Sequence, residues 1–233
     1  MGIKVIGIGS GSLDLLLPRA KNAILEADII VGYKRYIDLL KPVFHKNFVS
    51  FSMGEELKRV EFAIEEAKLG KNVAVVSSGD PGIYGMLGIF LEKGIDVESI
   101  PGVPSFVLAA HLAGAPIMND FAVISLSDRL VEWKKIEKRI RGAREGDFVI
   151  VFMNPGSKGR RFHLSRAMEI IGDVNLPVAV VENAGRSGEK TTIGKVGDFI
   201  GKEFTSMNAT IFVGNSDTVV IGGKIVTKRG YGV

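Results

Sequence analysis

The sequence predicts an α/β protein of two domains, the first with a mostly parallel sheet and the second with a mixed sheet. Short β-branched runs alternate with amphipathic helical segments through the first half, which is typical of right-handed βαβ units. Strand-like segments flank Gly222-Gly223 near the end, a pair that favours a two-residue hairpin turn. Because 233 residues suit two domains of roughly 110–120 residues, we place the domains at 1–117 and 118–233, with a linker at 114–120.

In each domain the predicted strands are short apolar runs, and the predicted helices have apolar residues three or four positions apart. The clearest helix carries Leu57, Val60, Ile64 and Ala67 on one face and ends at Gly70. In the first domain the strands are predicted at 3–8, 28–31, 73–76 and 97–100, and the helices at 18–27, 34–40, 55–69, 83–91 and 105–113. In the second, the strands are predicted at 122–126, 148–153, 178–181, 191–193 and 209–213, and the helices at 130–141 and 161–171.

Composition narrows the class of protein and of partner. Hydrophobic residues make up 46% and charged residues 24%, which indicates a globular chain with a real core. The net charge of +4 is mild and suits a polyanionic small molecule without requiring nucleic acid. The absence of cysteine excludes disulfides, thiolate metal sites and cysteine nucleophiles. No signal-peptide layout and no apolar run near the ~20 residues of a membrane span are found, so we expect a cytoplasmic protein without a membrane partner.

The segment from Val75 to Met86 is the strongest candidate for a binding loop. An apolar strand ends there in Ser77-Ser78-Gly79-Asp80-Pro81-Gly82, at the strand end where open α/β sheets bind ligands. Glycines at 79, 82 and 85 are more than a turn requires and would let backbone N–H groups approach a ligand closely. The alternative is a tight strand-to-helix turn without a ligand, in which Asp80 caps the next helix and Pro81 lies in its first turn.

Two other features of the sequence argue against a nicotinamide cofactor and against a metal ion. The first glycine segment has Gly7 and Gly9 but Ser12 where a dinucleotide fingerprint has its third glycine, and no acidic residue ends the second strand. A nicotinamide cofactor is therefore not expected. The three histidines, His45, His111 and His163, have no metal-ligand or proton-relay spacing, so we predict no metal site and interpret each histidine as a surface or structural residue.

Several spaced segments together resemble the tetrapyrrole methylase family. They are the glycine-rich first loop, the Ser-Gly-Asp-Pro loop, Pro101-Gly102-Val103 and Val181-Glu182-Asn183-Ala184-Gly185. Within the family, further segments resemble the branch of precorrin-3B C17-methyltransferases and their cobalt-factor III counterparts, and the similarity runs through essentially the whole chain. These segments are 31–36, 77–86, 124–128, 154–158, 213–216 and 227–231. One departure is Ser10, which stands between Gly9 and Gly11 where the family generally has proline.

The resemblance implies two α/β domains with the active site in the cleft between them, usually in a homodimer. It implies S-adenosylmethionine as methyl donor, with S-adenosylhomocysteine as product, and a tetrapyrrole acceptor methylated at C17 with contraction of the ring to the precorrin-4 level. Carried onto matching positions, donor binding would fall to Ser78, Gly79, Asp80, Ile83, Pro104, Ser105, Met153, Asn154 and Ala184.

Substrate and catalytic residues are predicted by their position near these loops. Substrate contacts are predicted for Ser10, Gly11, Lys34, Arg35 and Lys158, and the basic side chains, with Arg160 and Arg161, could pair with substrate carboxylates. Acid or base candidates are Asp80, Tyr33, Tyr36 and Asp128, for which capping or packing roles stay open. Methylation of another ring carbon, a diphthine synthase activity and a non-catalytic nucleotide-binding protein are the alternative functions.

Overall fold

The computed structural model describes residues 2–231 and divides the chain into two compact units, Met1–Ser105 and Phe106–Val233. Both units combine sheets with helices, which confirms the predicted α/β class. In the part of the chain that is described, no helix is long and apolar enough to cross a membrane.

The first unit has a single five-stranded sheet. Its strands are β1 (Gly2–Gly7), β2 (Ile29–Tyr33), β3 (Asn47–Phe51), β4 (Asn72–Ser77) and β5 (Glu98–Ile100), and its helices are α1 (Pro18–Glu26), α2 (Lys34–Leu40), α3 (Glu56–Lys68) and α4 (Leu87–Glu92). The strands lie in the order β3-β2-β4-β1-β5, and every neighbouring pair is parallel, as the alternating pattern predicts. The carboxyl ends of all five strands therefore meet at one edge of the sheet.

Both faces of this sheet are buried, as expected for a parallel sheet covered by helices. Alternate residues of β4 show this directly: Ala74 and Val76 join the core formed with α1 and α2, whereas Val73 and Val75 join the core formed with α3 and α4. Every one of these four side chains is 0–1% exposed. The central strands are thus fixed from two sides, which holds the loops at their carboxyl ends in place.

Three predictions for the first unit are wrong in detail. The edge strand β3 is absent from the prediction, because its half-exposed residues give neither a continuous apolar run nor a clear alternation. Helix α4 begins at Leu87 instead of 83, since Tyr84 has a φ of 52°, which no right-handed helix can contain. On α3, Leu57 is 58% exposed, and the buried residues are Arg59, Val60 and Ala63.

The second unit contains two sheets. Its helices are α5 (Ser105–Ala113), which begins at the last residue of the first unit, α6 (Trp133–Glu145) and α7 (His163–Ile171). Its strands are β6 (Gly114–Ala115), β7 (Phe121–Ser125), β8 (Val149–Met153), β9 (Pro177–Glu182), β10 (Lys190–Lys195), β11 (Ala209–Val213), β12 (Thr218–Ile221) and β13 (Lys224–Thr227). Five strands lie in the order β10-β9-β11-β8-β7, in which only β7 and β8 are parallel. This confirms the predicted mixed sheet.

The remaining three strands form a small sheet in the order β12-β13-β6. Strands β12 and β13 make the hairpin predicted around Gly222-Gly223, and both glycines have positive φ angles, 57° and 74°. Strand β13 then pairs in parallel with the two residues of β6, which directly follow α5. So short a strand gives no apolar pattern, and the sequence therefore did not predict it.

Helix α5 packs on the large sheet of the second unit. Its residues Phe106, Ala109 and Ala113 share one core with Val151 on β8 and Phe212 on β11. The sequence-based prediction assigns 106–117 to the first domain, whereas the compact units divide after Ser105. The helix belongs to the second unit because its small, apolar face is buried against that unit's sheet. The opposite face of the sheet packs on α6 and α7.

Candidate functional site

Three loops of the first unit contact one another through their glycine backbones. They are the β1 loop (residues 7–12), the β4 loop (residues 78–86) and the β5 loop (residues 101–104), which follow the adjacent strands β4-β1-β5. Gly9 N–H donates to Gly79 O at 3.1 Å, and Gly79 N–H donates to Gly9 O at 2.8 Å. Gly9 and Gly79 have φ angles of 57° and 66°, which glycine adopts at little cost.

Gly7, Gly79 and Gly102 form the centre of this contact, which we call the glycine junction. A Cβ on Gly102 would lie 2.2 Å from Gly79 O and 2.6 Å from Gly7 C, and a Cβ on Gly7 would lie 2.5 Å from Gly102 N. All of these neighbours are backbone atoms, which cannot rotate away as side chains can. Glycine is therefore required at positions 7 and 102 for steric reasons, whereas at 79 it is favoured by the positive φ.

Asp80 joins the β4 loop to the β5 loop. Its Oδ1 accepts a hydrogen bond from Gly82 N–H at 2.8 Å, and its Oδ2 accepts one from Gly102 N–H at 3.1 Å. The predicted capping role is wrong, because α4 begins seven residues later and its N-cap is Met86. Pro81 likewise lies outside the helix. The Asp80 side chain holds two loops together by charge-assisted hydrogen bonds, which are stronger than neutral ones.

The structure brings together most of the predicted donor-binding residues of the first unit. A Cβ on Gly79 would lie 3.5 Å from Ser105 N and 3.6 Å from Pro104 Cα, and Ser78 Oγ donates to Gly9 O at 3.4 Å. Ser105 begins α5, so its side chain lies at a helix start directly beside the junction. Ile83 is on the outer turn of the β4 loop and is 37% exposed.

Ser10 and Gly11 complete the β1 loop. Ser10 is only 4% exposed, and its Oγ accepts a hydrogen bond from Ser12 N–H at 3.2 Å. Gly11 has a φ of 91°, and a Cβ there would lie 2.5 Å from Leu39 Cδ1 on α2. Ser10 therefore stabilises this turn by its side-chain bond to the backbone of Ser12, at the position where the family generally has proline.

The predicted residues around β2 lie at the same edge of the sheet. Tyr33 ends β2 and packs edge to face on Tyr36, with ring centroids 5.2 Å apart and planes at 87°. Lys34 and Arg35 are exposed in the first turn of α2. This edge thus presents two positive charges beside a pair of aromatic rings.

In the second unit, Met153, Asn154 and Ala184 lie at strand ends. Met153 and Ala184 pack together with the core under α5, as partly buried side chains. Asn154 has a φ of 52°, and its Nδ2 donates to Ser125 Oγ, at the end of β7, at 3.0 Å. The structure thus brings two of the three residues onto one apolar face and ties the third to a neighbouring strand.

Asp128 is paired with His163, for which the sequence indicates only a surface or structural role. Asp128 Oδ2 lies 2.9 Å from His163 Nε2, and the His163 ring packs edge to face on Trp133 at 4.8 Å. Partial burial acts to raise the pKa of Asp128, but the hydrogen bond from His163 and the positive charges of His163 and Arg160 outweigh it, so that this pKa lies below its ordinary value. Lys158 and Arg161 are exposed residues of the loop between β8 and α7, and Arg161 pairs with Glu203 at 3.4 Å.

We expect the Asp128 carboxylate to stabilise the protein above its ordinary pKa of about 3.9 and to lose this contribution as the pH falls through the lower, folded-state pKa. Asp128→Asn should therefore lower the free energy of unfolding at pH 5, and the difference from wild type should shrink towards pH 3. Urea unfolding at a series of pH values measures this difference in the free energy of unfolding, with Asp96→Asn, at an exposed position, as the control. A difference that does not change between pH 5 and pH 3 would refute the role given to this carboxylate.

Two residues of interest could not be picked out by motif. His163 is 35 positions from Asp128, and no spacing rule joins them. Arg59 is only 3% exposed on α3, although arginine is ordinarily a surface residue. A signal for Arg59 was present, because it lies four positions before Ala63 and next to Val60 on the buried stripe of the helix.

Across residues 2–231, no group of three or more His, Cys, Asp or Glu side chains is arranged to hold a metal ion.

Comparison with known proteins gives consistent matches over most of the chain. The family model described as tetrapyrrole (corrin/porphyrin) methylases matches residues 2–200. A probable cobalt-factor III C(17)-methyltransferase of Salmonella typhimurium is 44% identical over 98% of this chain and 99% of that protein. A precorrin-3B C(17)-methyltransferase of a Sinorhizobium species is 32% identical over 93% of this chain and 90% of that protein. The crystal structure of the methyltransferase CobJ superimposes with a TM-score of 0.89 at 30% identity and covers 97% of this chain and 99% of that one.

Proposed function

The chain belongs to the tetrapyrrole (corrin/porphyrin) methylases, and from this premise we propose that it is a methyltransferase of cobalamin biosynthesis that methylates C17 of precorrin-3B or cobalt-factor III, with ring contraction to the precorrin-4 level. The names of its relatives support this choice of ring carbon, at identities of 44% and 32% over nearly full length. The structural observation that carries the proposal is the glycine junction, where three glycine-containing loops meet at the carboxyl edge of a parallel sheet.

The residues at this edge fit S-adenosylmethionine, the donor that we propose. The outer side of the β4 loop is open at Gly82, where a Cβ would meet only Asp80 Oδ1 at 3.2 Å and Leu87 Cδ2 at 3.8 Å. The exposed apolar side chain of Ile83 is next to it, and the partly exposed Ser105 lies beside the junction. The apolar side chain of Ile83 suits the nucleoside of the donor, and the backbone groups and the Ser105 hydroxyl suit its polar amino-acid group. We propose that Met153, Asn154 and Ala184 complete the donor site.

Methyl transfer places modest chemical demands on the protein. The donor sulfonium supplies an electrophilic methyl group with a good leaving group. The acceptor carbon forms the new bond as the methyl–sulfur bond breaks, the electron pair stays on sulfur, and S-adenosylhomocysteine is released. Alignment of the reacting atoms can lower the barrier by roughly 7–11 kcal/mol. The task of the chain is therefore to hold two ligands rigidly, which interlocked backbone loops do well.

The ring contraction needs proton transfers, for which we propose the pair Asp128–His163. Asp80 is already bonded to two backbone N–H groups and serves to position loops. Of the four candidates from the sequence, Asp128 is hydrogen-bonded to a second titratable side chain, His163, which directly follows the loop that carries Lys158, Arg160 and Arg161. Lys34, Arg35 and Lys158 would pair with acceptor carboxylates. We further propose a cytoplasmic homodimer.

The proposal is tested by anaerobic incubation with methyl-deuterated S-adenosylmethionine and, in parallel, cobalt-factor III, precorrin-3B and uroporphyrinogen III. We expect mass spectrometry to find the label in the product of one of the first two acceptors, which also identifies whether the acceptor contains cobalt. Label in uroporphyrinogen III alone would mean methylation of another ring carbon. Donor binding without any labelled product would favour a non-catalytic nucleotide-binding protein.

A further inference from the structure

Arg59 is a buried cation that forms no ion pair with a carboxylate among residues 2–231. It is 3% exposed, its Nη1 donates to Met86 Sδ at 3.4 Å, and its Nε has no hydrogen-bond partner within residues 2–231. Burial lowers the pKa of its guanidinium, because water no longer stabilises the charge. A thioether is only a weak acceptor, so most of the hydrogen-bonding capacity of this side chain is unused.

The acidic residues nearest to Arg59 in sequence are engaged elsewhere. Glu55 Oε2 accepts from Ser52 N–H at 2.8 Å, and its Oε1 accepts from Lys58 Nζ at 3.1 Å. Glu56 Oε1 accepts from Gly54 N–H at 3.1 Å. These carboxylates bond to backbone N–H groups just before α3. Their charges partly offset the lowering of the Arg59 pKa by burial, but in the described part of the chain no ion pair joins Arg59 to an acid. The guanidinium thus keeps an unbonded Nε–H and no ion-pair partner, which leaves room for an anion from outside the chain.

Arg59 lies at the edge of the sheet where the candidate site is. Helix α3 begins after the carboxyl end of β3, and Met86 is the last residue of the β4 loop. Tyr33, which ends β2, and Tyr36 on α2 are close enough to Arg59 to interact with its charge. Met86 covers the guanidinium with an unbranched side chain, the type that changes conformation most easily. The β4 loop beside it carries the exposed Tyr84, at 57%.

We propose that Arg59 is an anchor for a carboxylate of the acceptor, which replaces the Met86 thioether as the partner of the guanidinium. The inference rests on the proposed function for the identity of the acceptor, a tetrapyrrole with acetate and propionate side chains. The planar fork of arginine matches a carboxylate in a bidentate pair. Because the guanidinium is largely shielded from water, it has lost most of its hydration before an anion binds. A pair formed there is strong and discriminates between acceptors with and without the acid group.

The test compares Arg59→Met and Arg59→Lys with the wild-type protein. Arg59→Met removes the charge and keeps much of the volume, and Arg59→Lys keeps the charge without the fork. The matched control is Arg141→Met, which removes one exposed charge from α6. The probe is uroporphyrin III, a stable tetrapyrrole with the same acid side chains, whose binding is followed by its fluorescence. A second arm follows thermal unfolding in succinate, against sodium chloride of equal ionic strength, and needs no tetrapyrrole.

We expect Arg59→Met to weaken uroporphyrin binding by about tenfold to a hundredfold, Arg59→Lys by less, and Arg141→Met to leave it unchanged. We also expect succinate to raise the unfolding temperature of the wild type but not of Arg59→Met. The stability of Arg59→Met should equal or exceed that of the wild type, because an apolar side chain replaces an unpaired buried charge.

Equal uroporphyrin affinity and equal succinate response in wild type and Arg59→Met would overturn the inference. A large loss of stability in Arg59→Met with unchanged binding would also overturn it, since that result describes a structural arginine. Failure of the wild type to bind uroporphyrin, with its succinate response intact, would reject the proposed tetrapyrrole acceptor and still support Arg59 as an anion anchor.

Discussion

Gly102→Ala is expected to destabilise the first unit by about 1–3 kcal/mol and to abolish tight binding of S-adenosylhomocysteine. The added Cβ would lie 2.2 Å from Gly79 O and 2.6 Å from Gly7 C, so the β5 loop must move away from the other two loops. That movement also lengthens the hydrogen bond from Gly102 N–H to Asp80 Oδ2, now 3.1 Å. Urea unfolding measures the stability, and isothermal titration calorimetry measures the affinity.

Gly88→Ala is the matched control for this substitution. Gly88 is an exposed residue of α4 with no atom within 4 Å of the position of its Cβ. Alanine there should raise the free energy of unfolding by up to about 1 kcal/mol, since alanine is the better helix former. If Gly102→Ala proved as stable as Gly88→Ala and bound the product normally, the glycine junction would have no part in the site.

Asp80→Ala is expected to have the second largest effect. Its carboxylate accepts from Gly82 N–H and Gly102 N–H, and hydrogen bonds to a charged group contribute about 1.5–3 kcal/mol. Without it, the β4 and β5 loops lose their side-chain link, and we expect the affinity for S-adenosylhomocysteine to fall by about tenfold or more. Thermal unfolding and calorimetry, with and without the product, measure the two effects separately.

The conservative variant Asp80→Asn and the exposed control Asp96→Ala make this result specific. An asparagine keeps one acceptor oxygen and should retain part of the affinity, whereas Asp96→Ala should behave as wild type. Reduced stability combined with unchanged product affinity would remove the β4 loop from the donor site, even though its role in the fold would stand.

The fold could be predicted well where one local signal dominated. Helices α2 and α5 begin and end at the predicted residues, because Lys34–Leu40 and Ser105–Ala113 are bounded by a strand end, a proline or a glycine. Strands β3 and β6 were missed, since one is half exposed and the other has only two residues. The start of α4 was misplaced because apolar spacing from Ile83 suggests a helix, whereas Tyr84 has a positive φ, which a right-handed helix does not contain.

The candidate site was predictable where residues are close in the chain. Glycine positions in the β4 loop are visible in the sequence, but the contacts of Gly102 with Gly79 and of Asp80 with Gly102 depend on how three strands are ordered. The pairing of Asp128 with His163 is a tertiary contact of the same kind. Arg59 went unnoticed because its charge predicts exposure, while its place on the helix predicts burial.

The central claim is that C17 is the carbon that receives the methyl group, and the position of the label in the product tests it most directly. The measurement is a carbon NMR spectrum of the purified product, formed anaerobically from 13C-methyl S-adenosylmethionine and the acceptor that accepts label. We predict one labelled methyl group, bonded to C17 of a ring-contracted macrocycle. A labelled methyl group on any other ring carbon would contradict the account.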